Sequence, residues 1–267
     1  MGGGLPAAGL IEIHGGELRD GGAVAGFAWA MAGLVLRGNE AQGKSLRGPI
    51  LWIGTSQAFA EMGFPHAPGL SGFSGFSPDE LLVAQASKLL DALWIAEEAA
   101  KLRELSAVFL ELDGNPNRLD LTATRRLHRR GLLAGRPIFL LRQAAHAEPT
   151  AAPVRLIVSA APASPRNTLA GPLAGTIGQP AFTVTIGKSR TALPGEFILE
   201  WNPHERAFQE RRPENSRPVV SAPFLGSDLA PTAGEIVAFK PVRPAIPADH
   251  QPSGKQHPAH RRTRRAG

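Results

Sequence analysis

LIEIHGGELRDGGA, residues 10–23, runs from a strand through a Gly-rich loop into a helix. Leu10-Ile11-Glu12-Ile13 reads as the strand, His14 to Asp20 as the loop, and Gly22 as the start of the helix. The apolar run that follows, Ala23 to Leu36 (AVAGFAWAMAGLVL), is too long for a typical strand and reads as a buried helix. Strand, loop, helix is the order a phosphate site requires, because backbone N–H groups and the positive end of the helix dipole then converge on an anion. Within it, Gly16-Glu17-Leu18-Arg19-Asp20-Gly21-Gly22-Ala23 keeps the two spacing glycines of the pattern G-x-x-x-x-G-K-[ST], Gly16 and Gly21. Gly22 stands where the lysine belongs, and Ala23 where Ser or Thr would hold magnesium. The charge partner of the phosphates and the metal ligand are therefore both missing, while Glu17 and Asp20 add negative charge. Gly16, Gly21, Gly22 and Ala23 form a degenerate nucleotide-binding loop, and ATP with magnesium is not expected there.

A second stretch, Gly38-Asn39-Glu40-Ala41-Gln42-Gly43-Lys44-Ser45, matches the same pattern letter for letter. Its context is reversed: the long apolar helix precedes it and the strand-like Ile50-Leu51-Trp52-Ile53 follows. A helix starting at Lys44 would meet Gly48-Pro49 within about a turn, which argues for a helix-to-strand connection and a chance match.

The 267 residues can hold one α/β domain of about 200 residues plus an appendage. No cysteine is present, which excludes disulfides and thiolate-bound zinc. The 23–36 run is shorter than the roughly 20 residues that span a bilayer. Glu12, Glu17 and Asp20 precede it where a signal peptide would be basic, so a cytoplasmic protein without a membrane segment is expected. The net charge is +6, and residues 202–267 carry 11 Lys+Arg against 6 Asp+Glu, so the basic character belongs mainly to that segment. The same segment holds 10 of the 24 prolines and ends in Arg261, Arg262, Arg264 and Arg265. Two parts are expected: an α/β domain over 1–201 and a Pro/Arg-rich, largely disordered tail over 202–267.

Between them, β and α units alternate. A loop through Pro65 and Pro68 leads to Ser77, which has capping-box spacing to Glu80 and predicts one short helical turn. A strand at Leu81–Ala86, a helix capped by Ser87 and reaching about Arg103, and a strand at 106–112 follow. A helix at Leu121–Ala134 and strands at Pro137–Leu141 and Val154–Ser159 continue the pattern. The alternation predicts a mostly parallel sheet with helices on both faces. Ala181–Ile186 and Glu196–Trp201 read as an antiparallel pair finishing the sheet edge.

Several segments together resemble the RecA-like fold, and within it the ImuA family of SOS mutagenesis proteins. They are Gly3-Gly4-Leu5 through His14, Pro49–Ile53, Asp91–Trp94 with Glu97-Glu98-Ala99, Ala107–Leu112, Arg118–Leu127 and Phe197–Trp201. The resemblance covers residues 3 to 201 and implies a RecA-like P-loop NTPase core. Relatives begin further upstream, so it also implies an N-terminal segment that this chain lacks. It implies work beside ImuB, a polymerase-like protein, with RecA and an error-prone replicative polymerase as further partners. In RecA the strand matching Ile50–Ile53 leads to a glutamate that activates water. Ser56 takes that position here, and a hydroxyl is a poor general base. Strand 106–112 matches the Walker B strand, where Glu111 replaces the usual Asp and Asp113 lies two residues on, on the same side. The resemblance thus implies a RecA scaffold with little or no ATPase activity.

Arg118, Arg125, Arg126, Arg129 and Arg130 cluster around the 121–134 helix, with Leu119, Ala123 and Leu127 on its opposite face. They are candidate DNA contacts, or a solvated face partly neutralised by Asp113 and Asp120. With 12 Phe, 4 Trp and no Tyr, no stacking platform for single strands stands out. Lys188-Ser189-Arg190 reads as a charged hairpin tip. His250, His257 and His260 lack carboxylate or thiolate companions, so no metal is expected. The leading expectation is a non-catalytic accessory protein of translesion synthesis. The alternatives are an active ATPase of the same fold, using either Glu111 with the degenerate loop or Lys44 and Ser45, and a DNA-binding protein acting through the Arg125/Arg129 helix and the tail.

Overall fold

The computed structural model describes residues 6–41, 48–190 and 194–211. The first unit is β1 (Gly9–His14), a loop, and α1 (Gly21–Ala41), which is longer than its apolar run because the helix continues through Arg37 to Ala41. Next come β2 (Ile50–Thr55), α2 (Ser56–Met62) and α3 (Ala67–Ser74). The stretch read as a loop through Pro65 and Pro68 thus holds two short helices. Thr55 caps α2 by accepting the Ala58 N–H at 3.1 Å. Pro68 sits in the first turn of α3, where its missing N–H costs nothing. Gly75 ends α3 in the left-handed region, at φ 83°.

One helical turn at Pro78–Glu80 precedes β3 (Leu81–Ala86), with the Ser77 N–H donating to Glu80 Oε2 at 2.7 Å as the capping-box spacing predicts. Then follow α4 (Leu89–Ala99), β4 (Ala107–Asp113), α5 (Leu121–Ala134), β5 (Pro137–Gln143) and β6 (Val154–Ala161). Lys88, not Ser87, is the N-cap residue of α4, and the helix ends four residues before Arg103. Asp120 caps α5 by accepting the Ala123 N–H at 2.7 Å. A small hairpin, β7 (Arg166–Thr168) and β8 (Gly171–Leu173), occupies the passage read as irregular. The chain then forms β9 (Ala181–Lys188), β10 (Glu196–Asn202) and β11 (Ala207–Glu210).

The architecture is α/β with one mixed, mostly parallel sheet of order β11-β10-β9-β6-β1-β5-β4-β2-β3. The strands from β6 to β3 are parallel, and beyond β6 the strands β9, β10 and β11 follow, each antiparallel to the one before it. Among the described residues the edge on this side is therefore β11, not β10. The folded part also runs past Trp201, since Trp201 pairs with Phe208 across the β10–β11 ladder.

Two apolar layers flank the sheet. On one side α1 packs Phe27, Trp29 and Met31 against a row of aromatic residues in register, Trp52 beside Phe109 beside Phe139. Neighbouring rings in that row stand 4.8 and 4.9 Å apart, and Trp29 stacks on Trp52 at 5.4 Å. On the other side α4 and α5 bury Leu93, Ala96 and Leu127 against Leu10, Leu110 and Leu140. By length and hydropathy α1 is a candidate membrane span, and more than half of that stretch is buried within the fold. Its apolarity is used by the sheet beneath it.

Candidate functional site

The loop after β1 is closed by its own side chains. Gly15 is tied at both backbone groups, donating to Arg142 O at 2.9 Å and accepting from Ala145 N at 3.2 Å. Leu18–Asp20 then makes a single 3-10 turn. The Glu17 N–H donates to Asp20 Oδ2 at 3.0 Å, and Arg19 pairs with Glu17 at 2.9 Å. An N–H of this loop, which a phosphate would need, is thus given to a carboxylate of the chain itself. Immediately beyond, Met62 from the end of α2 packs so closely on Gly21 that a Cβ there would collide with its Sδ. Gly22 faces open space, so the fold leaves room for a side chain at the lysine position and the sequence supplies none. The cavity over this end of α1 measures about 250 Å³ and is walled by Trp29, Trp52, Met62 and Phe64, with Glu111 among its polar residues.

Glu111 and Asp113 lie in β4 and face the same side of the sheet, as the two-residue spacing requires. Their roles differ. Glu111 is 2% exposed, and its two oxygens accept from Trp52 Nε1 at 2.8 Å and Gln143 Nε2 at 3.1 Å. Burial pushes its carboxyl above the usual range, against the opposing effect of those two hydrogen bonds. Asp113 is half-buried and accepts from Gln57 Nε2 at 2.8 Å. Ser56 opens α2, receiving Gln85 Nε2 at 3.3 Å while its hydroxyl leans on Ala86 O at 3.4 Å. Among the described residues no group of three or more His, Asp or Glu side chains is placed to hold a metal. These residues do not fit magnesium-ATP. One carboxylate is engaged by two N–H donors in an apolar wall, and the loop supplies neither ammonium nor hydroxyl.

No protein-family model matches this chain, and no curated protein matches it in sequence.

The letter-perfect pattern begins in the last turn of α1, with Gly38 to Ala41, and β2 starts at Ile50, so it joins a helix to a strand. Gln42 to Ser45 lie outside the described residues, as do Arg212 to Gly267 with His250, His257 and His260.

The arginine cluster divides. Arg126 pairs with Glu97 at 2.9 Å, and Arg130 with Glu97 at 3.2 Å and Glu98 at 3.3 Å. The neutralising acids are thus on α4. Asp113 and Asp120, the acids expected to do this, hold Gln57 and cap α5 instead. Arg118, Arg125 and Arg129 are exposed and have no carboxylate partner among the described residues. Lys188 is anchored through its ammonium to Thr150 O at 2.8 Å.

Two features escaped the sequence reading. One is Trp94, 65% exposed on α4. Its position off the Leu89, Ala92, Leu93 and Ala96 face was the available signal. The other is a buried ionic group on the α5 side of the sheet. There Glu12, fully buried, accepts from Arg155 Nε at 2.8 Å, and its partner in register on the next strand is that same Arg155. His14 Nε2 lies 3.5 Å from Glu12 Oε2, and Arg142 pairs with Glu148 at 2.7 Å. Burial alone would push Glu12 up, yet the neighbouring His14, Arg155 and Thr150 side chains together hold it below the usual range. Burial pushes His14 down, against Glu12, and Arg142 and Arg155 push it the same way. Polar residues alternating with Ile11 and Ile13 in a strand covered on both faces were the signal here.

Proposed function

We propose that this chain is a RecA-like accessory protein of DNA-damage-induced SOS mutagenesis, akin to the ImuA family, that serves translesion synthesis without hydrolysing ATP. The observation that carries the non-hydrolytic part is the self-closed loop, in which Asp20 takes a loop N–H, Met62 covers Gly21 and Gly22 replaces the lysine. A fold that keeps strand, loop and helix in the order of a phosphate site, with an acidic pair on the same sheet two strands away, supports descent from such a site. The work of the protein is then assembly in the cytoplasm. Its partners are an ImuB-like polymerase-family subunit, RecA and an error-prone replicative polymerase.

An unpaired apolar edge supports assembly. Among the described residues the β3 strand pairs with β2 alone, and it carries no charge or proline from Leu81 to Ala86 and exposes Leu82 and Val83. Such an edge is a template for another chain. Co-purification of the full chain with an ImuB-like subunit and with RecA, each tested singly, checks the reading. Retention of at least one at micromolar concentration, in the absence of nucleotide, is expected. Retention of neither, or retention only when ATP is added, would sink it.

A further inference from the structure

The α4 and α5 helices enclose a groove of about 430 Å³ at their N-terminal ends, lined by Leu90, Trp94, Asn117, Arg118, Thr122 and Arg126. Trp94 offers the one solvent-facing indole of the protein, because Trp29, Trp52 and Trp201 are all 2% exposed or less. Glu97, one turn along from Trp94, fixes Arg126 beside it at 2.9 Å. Along α5, Thr122, Arg125, Arg126 and Arg129 follow the i, i+3, i+4, i+7 spacing that lines residues up on one helix face. The groove therefore opens onto a cationic stripe. The acids in its wall are Glu97 and Asp120, of which Glu97 is spent on Arg126 and Arg130, and Asp120 on the cap of α5. Arg118, Arg125 and Arg129 remain without an acidic partner among the described residues.

We infer that this groove binds single-stranded nucleic acid, with one base stacked on Trp94 and the backbone phosphates following Arg118, Arg125 and Arg129. A flat apolar face beside unpaired guanidinium groups is what an unstacked base with its phosphate requires. A duplex, whose base faces are covered, cannot use Trp94. Charge complementarity selects a polyanion, and the indole selects one with aromatic faces. The inference goes beyond the assembly role and does not rest on it.

The test uses the full chain, a fluorescein-labelled oligo(dT) 20-mer and intrinsic tryptophan emission. The emission difference between wild type and Trp94→Phe isolates Trp94 from the three buried indoles. Saturating oligo(dT) is expected to quench that difference signal, and polyglutamate at equal charge is expected to leave it unchanged. By anisotropy, Trp94→Ala should lose about 5- to 150-fold in affinity while Trp94→Phe retains most of it. Changing Arg125 and Arg129 together to Glu should lower the salt slope by about 1.4. Circular dichroism spectra matching wild type establish that these surface variants fold. Oligo(dT) binding that leaves the Trp94 signal unquenched would assign the binding to another part of the chain and overturn the proposal. Equal quenching by polyglutamate, which would point to an acidic protein partner, or no oligo(dT) binding at low salt, would overturn it too.

Discussion

Trp52 donates its indole N–H to Glu111 at 2.8 Å, across the same sheet face on which Trp52 stacks on Phe109. The acid matched to a metal-binding strand is thereby built into an aromatic wall. Gln143 approaches it from β5 and leaves its own Oε1 buried without a partner.

Glu111→Gln is the first consequence. A carboxyl whose pKa is raised by folding binds its proton more tightly in the native state. Its contribution is therefore present at low pH and is lost as pH rises from the ordinary carboxylate value of about 4.3 toward the folded one. The amide cannot ionise, can accept from Trp52, and can donate to Gln143 Oε1. The variant should exceed the parent by on the order of 1 kcal/mol at pH 8 in urea unfolding, with the gain shrinking toward pH 4. A variant less stable than the parent at pH 8 would contradict the role assigned to Glu111.

Nucleotide should leave no trace. A ligand present at 100 times its Kd adds about 2.7 kcal/mol to a folded state, a readily detected thermal shift. Neither ATP with magnesium nor a fluorescent analogue should move the melting curve of wild type or Lys44→Ala. Saturable binding abolished by Lys44→Ala would restore the 38–45 string as a working site.

Acid should loosen the protein through the group around β1. His14 is held below its ordinary value, so as pH falls below about 6.5 the unfolded chain takes up a proton that the native state refuses. Glu12 is also depressed, so its stabilising contribution is present above the ordinary carboxylate range and is lost further down. Urea midpoints should therefore fall from pH 7.5 to pH 5 and again below. Glu12→Gln, which strands Arg155 in the interior, should cost about 3–5 kcal/mol at neutral pH. A cost near zero would mean that water reaches the pair.

The β3 edge can be blocked without touching the core. Val83→Lys places a charge on an exposed edge position, the device by which natural sheets prevent pairing. The melting temperature should stay where it is, while co-purification with the partner subunit drops several-fold. Unchanged capture would move the interface away from this edge.

Much of the parallel half of the sheet was legible because its strands read as short apolar runs, most of them set between helices. Asp120 ahead of Leu121–Ala134 and Gly135 behind it are signals written in a few residues. The helices Ser56–Met62 and Ala67–Ser74 were hidden because their stability comes from packing. The second of them, APGLSGFS, is rich in the turn formers Gly, Pro and Ser. The strand Ala207–Glu210 was masked by the Pro- and Arg-rich composition that follows it. At the site, the missing lysine and hydroxyl could be read directly from Gly22 and Ala23. The covering by Met62 could not, since it joins residues distant in sequence, Gly21 and Met62, through tertiary contact alone. Pairing of Arg126 and Arg130 with Glu97 and Glu98 was hidden for the same reason.

The closure of the loop by Asp20 carries a consequence for control. In a machine that runs on a bound fuel, the loop beside the fuel is the clock: it has one shape when loaded and another when spent. On the proposed reading, a carboxylate of the chain itself sits in that position and ties the loop without a fuel. The pace of the assembly role proposed above is then, on that reading, set from outside, by how many copies the cell makes and by which partners are present to meet them.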